Sequence, residues 1–444
     1  MTPIMYKSRT GPILPKKVTF LQSHRTPAGA VQNTRQRMMQ LKMFILLGFS
    51  IANLQNLFNF VNLLKTTAYM RRIMMSIAIA GAIVSSCAQK NDVALIPVED
   101  FTMEHEGKQV SLYTLKNGDL MMQVTNFGAR VVTLWAPDKN GNMEDIVLGY
   151  NNIEKYVNNP GERFLGAVVG PYANRIAGGT YTIGDETYNF PQNNNGQTLH
   201  GGLKGLDMVV WDVDSVSENA IVLSYVRPDG QDGMPGNLKI VMTYTLTPDN
   251  EFKVDYVAHT DKATHVNISH HSFFNLKGEG NGTINDHVLY INASKTTPVD
   301  EVLIPTGEIA DVTGTPFDFR QPKAIGQDVD AENEQLKNGA GYDHNWVLDR
   351  KSDKEVELAA SVYEPASGRY MEVWTDQPAL QFYGGNFFDG STTGKYGKAL
   401  AYRESIALET QKYPDTPNHP HFPSTLLEPG EEYTHTCIYR FAVK

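Results

Sequence analysis

From about Val93 onward, apolar and polar positions alternate in short runs separated by turn residues. "QVSLYTLKN" (109–117), "LMMQVTNFG" (120–128), "RVVTLWAPD" (130–138), "AIVLSYVRPDG" (220–230), "LKIVMTYTLTPDN" (238–250) and "EFKVDYVAHT" (251–260) are rich in β-branched and aromatic residues. A period of two sends neighbouring side chains to opposite faces, so each run predicts a strand with one buried face. "EDIVLGY" (144–150) and "HVLYINAS" (287–294) predict two more. Between them, "KNG", "PDKNGN", "PDGQDGMPG" and "TPDN" supply the Gly, Pro, Asn and Asp that turns demand. Helical periodicity is scarce, and only 151–159 and 331–338 predict short helices. Many short strands without intervening helices, fixed-period repeat or low-complexity linker predict an all-β fold over 93–444, a large antiparallel β-sandwich. That span of roughly 350 residues exceeds the usual domain size, so a second domain stays open.

The first ninety residues follow another pattern. Residues 1–40 are basic and aperiodic, and 43–64 are apolar but interrupted by Asn and Gln. In "MRRIMMSIAIAGAIVSSCAQK" (70–90), Arg71 and Arg72 precede a short apolar run from Ile73 to Val84, and small residues lead to Cys87. Positive charge, short apolar run and small residues are the layout of a secretory signal, and the run is short for a membrane span. "VSSC" (84–87) resembles the lipobox of bacterial lipoproteins, which implies a signal peptide over 70–87 and lipidation of Cys87. This predicts an exported protein on the periplasmic face of a bacterial membrane, or soluble in the periplasm. It also predicts a start at Met70, with 1–69 a non-native or unstructured extension. The rival readings are an ordinary signal peptide and a true membrane segment at 43–64.

Composition narrows the partners. A net charge of −10 lacks the basic footprint of a nucleic-acid binder. With 21 Tyr and 19 Phe, the chain has aromatic faces to spare for the apolar face of a sugar ring. Two distant cysteines, Cys87 and Cys437, build neither a disulfide framework nor a cysteine metal site. Cys437 reads as a small buried residue in a terminal strand.

Five polar islands carry more chemistry than folding asks for. Asn174 and Arg175 lie in "GAVVGPYANRIAGGTY" (166–181) and offer a donor fork beside a carboxamide, which suits adjacent hydroxyls. His200 lies in "GQTLHGGLKG" (196–205), where glycines allow close backbone approach. "NISHHSFFNL" (267–276) sets His270 beside His271 in a strand, so one of the two at most faces a given pocket. Asp343 and His344 lie in "AGYDHNWVL" (340–348). "QFYGGNFFDG" (381–390) and "SIALETQKYPD" (405–415) form the fifth island, with Ser405, Ala407 and Glu409 on one face. Each island also has a plain structural reading: a paired Arg, an exposed His, a turn-fixing Asp. No H-E-x-x-H or G-x-S-x-G motif is present, so neither a zinc hydrolase nor a serine hydrolase is indicated. Asp343 and Glu409 could be the two carboxylates of a glycosidase, which stays open on composition.

Taken in order, "GPYANRIAGG", "TLHGG", "NISHHSFFNL", "GYDHN", "QFYGGNF", "ALETQKYPD" and "HFPSTLLEPGEEY" resemble the aldose 1-epimerase (galactose mutarotase) family. The resemblance spans 166–433 and, more weakly, most of 100–444. It implies a β-sandwich that interconverts the α and β anomers of free aldoses such as galactose and glucose, with no cofactor and no metal. It places the catalytic base on Glu409 and the catalytic acid on His271, the histidine directly before "SFFNL". It places sugar binding on Asn174, Arg175, His200, Asp343 and Gln381. His270 departs from the Asn common in the family and reads as an outward neighbour with a packing or surface role. The partner implied is a small sugar, with membrane contact only through a lipid anchor; the oligomeric state is not indicated. A non-catalytic carbohydrate-binding lipoprotein and a glycosidase on a related sandwich remain as alternatives.

Overall fold

The computed structural model describes residues 56, 58–62, 93–158 and 161–444. The chain divides into two units, Met1–Gln89 and Lys90–Lys444. In the first, the described residues are helical and exposed. The signal-peptide and lipidation expectations at 70–87, Cys87 included, lie outside the described residues. Among those that are described, no helix is long and apolar enough to cross a membrane.

The second unit is built on three antiparallel sheets. The largest has nine strands in the spatial order Asp212–Val216, Ala220–Arg227, Leu238–Leu246, Glu251–Thr260, Tyr433–Val443, Arg369–Thr375, Glu357–Tyr363, Val288–Ile291 and Lys323–Ala324. The alternation read from the sequence sets its faces. Leu238, Ile240, Met242, Tyr244 and Leu246 are buried, whereas the residues between them are only partly covered or exposed. The C-terminal strand runs through the middle of the sheet and pairs with Glu251–Thr260 on one side and Arg369–Thr375 on the other. Cys437 is buried there, as its sequence context predicts.

A five-stranded sheet, in the order Ala310–Asp311, Lys295–Thr297, Asp343–Val347, Ala379–Tyr383 and Ala407–Gln411, shares its apolar core with the large sheet. Trp346, Leu380, Phe382 and Leu408 join Met242, Val254 and Tyr439 in that core. A four-stranded sheet, Leu112–Asn117, Leu120–Thr125, Arg130–Pro137 and Met143–Asp145, completes it. The expected short helices occur at Ile153–Asn158 and Glu334–Asn338. The second is capped by the Asn333 side chain, which accepts from the backbone N–H groups of Gln335 and Leu336. One expected strand is truncated. "EDIVLGY" is ladder-paired only to Asp145, and Ile146–Tyr150 continue as buried irregular chain.

Between the strands Ala379–Tyr383 and Ala407–Gln411 the chain makes a long excursion. It is anchored by Lys395, whose fully buried ammonium lies 2.9 Å from Asp145 and 3.1 Å from Glu279. The same ammonium donates to the carbonyls of Val132 and Val147. A buried cation needs such a complete set of acceptors. The anchored loop carries Phe387 and Phe388 toward the cavity described next, where Phe388 meets Phe273 at 5.5 Å between ring centres.

Candidate active site

Strand register assembles the site. Asp343 pairs with Tyr383, Asn345 with Gln381, and Gln381 with Glu409. Alternation then places Asp343, Asn345, Gln381, Tyr383, Glu409 and Gln411 on one face of the five-stranded sheet. The opposite face carries His344, Trp346, Leu380, Phe382 and Leu408 into the core. The polar face is cross-linked: Gln381 Nε2 donates to Asp343 Oδ1 at 2.7 Å, and Gln411 Nε2 to Asn345 Oδ1 at 3.1 Å.

The short strand Ser269–His271 pairs with Ala167–Val169 beside this face. His271 points toward Glu409, with Nε2 3.3 Å from Oε1. Its ring stacks on Phe273 at 4.7 Å, two residues on and on the same side. His270 points the other way, as alternation requires. It is not at the surface, however; it is buried against Tyr244, Phe252 and Tyr439. Tyr244 Oη donates to the Ala129 carbonyl at 2.7 Å, so its contact with His270 Nδ1 at 3.0 Å must receive the imidazole proton. His270 Nε2 is then the acceptor from Ser272 Oγ at 2.6 Å. The chain of bonds fixes one neutral tautomer, and of the two roles expected for the residue facing away from the pocket, packing or surface, the structure gives packing.

Arg175 and Leu199 pair in a two-stranded ladder, which brings "ANR" and "LHGG" together. The Asn174 and His200 backbones both occupy the left-handed region, with φ of 62° and 50°. Such backbone is costly for residues other than glycine and collects at functional sites. Here reciprocal bonds hold it: His200 N–H donates to the Asn174 carbonyl, and Asn174 N–H donates to His200 Nδ1, each at 3.0 Å. Asn174 Oδ1 accepts from Arg175 N–H at 2.9 Å, which leaves its amide donors for the cavity. The following glycine has no room for a side chain, since a Cβ on Gly201 would stand 2.0 Å from the Gly170 carbonyl oxygen.

These pieces enclose a cavity of about 230 Å3 lined by Asn174, Arg175, His200, His271, Asp343 and Glu409. Six of the seven expected residues therefore meet in one place. Gln381 is not part of the lining and instead supports Asp343. Sequence reasoning missed Glu162, Phe164, Asn194, Leu199, Phe273, Tyr383 and Phe387, which complete the wall. Two of them carried a usable signal: Phe273 and Tyr383 each sit two residues from an expected site residue, Tyr383 on the same strand face as Gln381 and Phe273 just past the end of the strand, stacked on His271.

Burial dominates the electrostatics. It pushes His271 down to about 3 and His200 well below the ordinary histidine range. It pushes Glu409 well above the ordinary carboxylate range, helped by the neighbouring Asp343 and opposed by Arg175, whose guanidinium is 3.6 Å from Asp343. His271 Nδ1, Glu409 Oε2 and Gln381 Oε1 have no protein partner. Buried polar atoms of that kind are expensive in a finished core and expected where a polar ligand binds.

His200, His271 and Glu409 could suggest a metal, because their ligand atoms lie within 4.8 Å of one another. The His200 tautomer argues against it. Its Nδ1 accepts the Asn174 N–H, so the neutral ring carries its proton on Nε2 and has no free lone pair for a metal. The same constraint makes His200 Nε2 a hydrogen-bond donor.

A family profile described as aldose 1-epimerase matches residues 111–440. Galactose mutarotase of Bos taurus is 43% identical over 334 residues, covering 75% of this chain and 94% of the relative. Aldose 1-epimerase of Escherichia coli K12 is 36% identical over 339 residues, covering 76% and 96%. Among solved structures, an aldose epimerase homologue from C. elegans superposes with a TM-score of 0.70 at 30% identity, covering 75% of this chain and 99% of that one. Galactose 1-epimerase from Lactobacillus acidophilus gives 0.67 at 30% identity, with 77% and 97% covered.

Proposed function

This chain belongs to the aldose 1-epimerase family, and from that premise we propose that it interconverts the anomers of free aldoses such as galactose and glucose, with Glu409 as base and His271 as acid. The observation that carries the assignment is the buried contact of 3.3 Å between His271 Nε2 and Glu409 Oε1 at one polar cavity. A single site thus holds two proton-transfer groups that burial shifts in opposite directions, His271 down and Glu409 up.

The reaction follows from moving one proton each way. Glu409 carboxylate takes the proton from the C1 hydroxyl; the C1–O1 bond becomes a carbonyl as the bond from C1 to the ring oxygen breaks. His271 imidazolium gives its proton to the ring oxygen. The C1–C2 bond rotates, and closure on the other face reverses both transfers. Imidazolium with carboxylate, and imidazole with carboxylic acid, hold the same number of protons. The chemical step therefore moves the pair between its two one-proton forms. Burial favours the uncharged form, which accompanies the open chain, so the pocket stabilises the difficult side of the reaction. Asn174, Arg175, the His200 Nε2–H and Asp343 hold the sugar hydroxyls, with Gln381 holding Asp343. The glycosidase alternative needs Asp343 and Glu409 on opposite sides of a bond, whereas Asp343 is engaged by Gln381 and Arg175.

Polarimetry of freshly dissolved α-D-galactose and α-D-glucose tests the activity. Its pH dependence tests the pair. Two independent groups with ordinary affinities would lose rate above pH 6.5, the usual histidine value, as the acid deprotonates. A pair sharing one proton keeps its rate over a wider span, because the second proton binds only at about 3 and the shared one leaves only well above the ordinary carboxylate range. An acid limb near 4.5 together with an alkaline limb near 6.5 contradicts the assignment.

For location, we propose export as a lipoprotein anchored through Cys87. The support is the order Arg71–Arg72, apolar 73–84, "VSSC". Mass spectrometry of the native protein tests it: a mature chain beginning at lipidated Cys87 is expected, and any peptide from residues 1–69 contradicts it.

A further inference from the structure

The cavity holds a charged group that the proposed reaction does not use. Its lining includes three carboxylates, Glu162, Asp343 and Glu409, and one guanidinium, Arg175. Arg175 is committed to Asp343. His271 Nε2 lies against Glu409 at 3.3 Å, and His200 Nδ1 is taken by the Asn174 N–H, so neither histidine is paired with Glu162. Arg130, behind the wall, turns its guanidinium to the carbonyls of Arg163, Leu165 and Asp207. Among the described residues, Glu162 therefore faces the cavity without an ion-pair partner of its own.

Its position is built rather than incidental. In "GERF" (161–164) alternate side chains go opposite ways. Glu162 and Phe164 line the cavity. Arg163 between them forks onto the buried Asp207, at 2.6 and 2.9 Å, and donates to the carbonyls of Gly202 and Leu203 beyond His200. Glu162 Oε1 accepts the Phe164 N–H at 2.9 Å, and its carbonyl accepts from Tyr150 Oη at 3.2 Å. The carboxylate is thus held in place on the aromatic side of the cavity.

We infer that Glu162 is a charge filter, which makes this site selective for uncharged aldoses over aldoses that carry an anionic group, such as uronates and sugar phosphates. The inference rests on the mutarotase reading above. Burial raises the pH at which Glu162 ionises, while the Phe164 N–H and the charge of Arg130 work the other way; once it is ionised, an anion entering the cavity meets a like charge in a space where repulsion is far stronger than in water. A hydroxyl at the same place donates to that carboxylate instead.

Galacturonate and its methyl ester test this, because they differ in charge and little else. The wild-type protein should show a kcat/KM for the ester at least about tenfold above that for the anion. Glu162→Gln should shrink that ratio by about tenfold, and Glu162→Asp should preserve it. Equal handling of ester and anion by the wild type overturns the inference, as does a ratio that Glu162→Gln leaves unchanged. Glu162→Ser serves the same arm if the glutamine variant does not fold. Lack of turnover on galactose, ester and anion alike counts against the mutarotase reading. The charge filter is then read from calorimetric affinities for ester and anion, which require no turnover and carry the same two overturning outcomes.

Discussion

The two faces of the sheet formed by Asp343–Val347, Ala379–Tyr383 and Ala407–Gln411 share one backbone and are both buried, and they differ in what their side chains meet. One face puts Trp346, Leu380, Phe382 and Leu408 into a dry core. The other, offset by a single residue along each strand, carries Asp343, Gln381 and Glu409, with polar atoms that no protein group satisfies. The adjacent histidines repeat the contrast. His270 has both ring nitrogens bonded within the core, whereas His271 has a bare Nδ1 and a carboxylate neighbour. Stability is concentrated on one side and chemistry on the other, because a strand alternates its side chains while keeping both rows rigid.

The largest effect is expected on the polar side. Glu409→Gln should cut the mutarotation rate by about 10^2–10^4-fold, the usual contribution of a general base, without lowering the melting temperature. A variant that loses stability and keeps its rate would assign Glu409 to the core. Next comes the reverse experiment. His270→Ala removes a ring bonded to Tyr244 and Ser272 and should cost about 2–4 kcal/mol in denaturant unfolding, while kcat of the folded protein changes little. A large loss of kcat with unchanged stability would place His270 in the reaction. The smallest effect belongs to Asp343→Asn. Removing a negative neighbour eases ionisation of Glu409, so the alkaline limb of the pH–rate profile should move to lower pH, and KM should rise with the lost hydroxyl contact. An alkaline limb that stays in place would mean the two carboxylates do not sense each other.

Much of this contrast was legible in the sequence, for a physical reason. Alternating burial leaves a period of two in strands such as Leu238–Leu246, and polar residues in otherwise apolar strands stand out against it. That is why Asp343, Glu409 and the histidine pair stand out. What the pattern lacks is register. Nothing local says that Gln381 lies beside Glu409 and bonds Asp343 rather than lining the cavity, since pairing is settled by distant strands. Alternation separated His270 from His271 but did not say that the far side was core and not solvent. That depended on the large sheet bringing Tyr244 and Tyr439 against it. Glu162 and Phe387 escaped for a different reason. They reach the cavity from irregular segments held by Arg163 and by Lys395, and irregular chain carries no periodic signal.

If His271 and Glu409 act as one unit sharing a proton, a double-mutant cycle shows the coupling. Initial mutarotation rates of α-D-galactose are compared for the wild type, Glu409→Gln, His271→Ala and the double variant. Residues acting as a unit are non-additive, so the double variant should be about as slow as the slower single variant. Rate losses that multiply would show two groups working independently, and the shared-proton mechanism would be wrong.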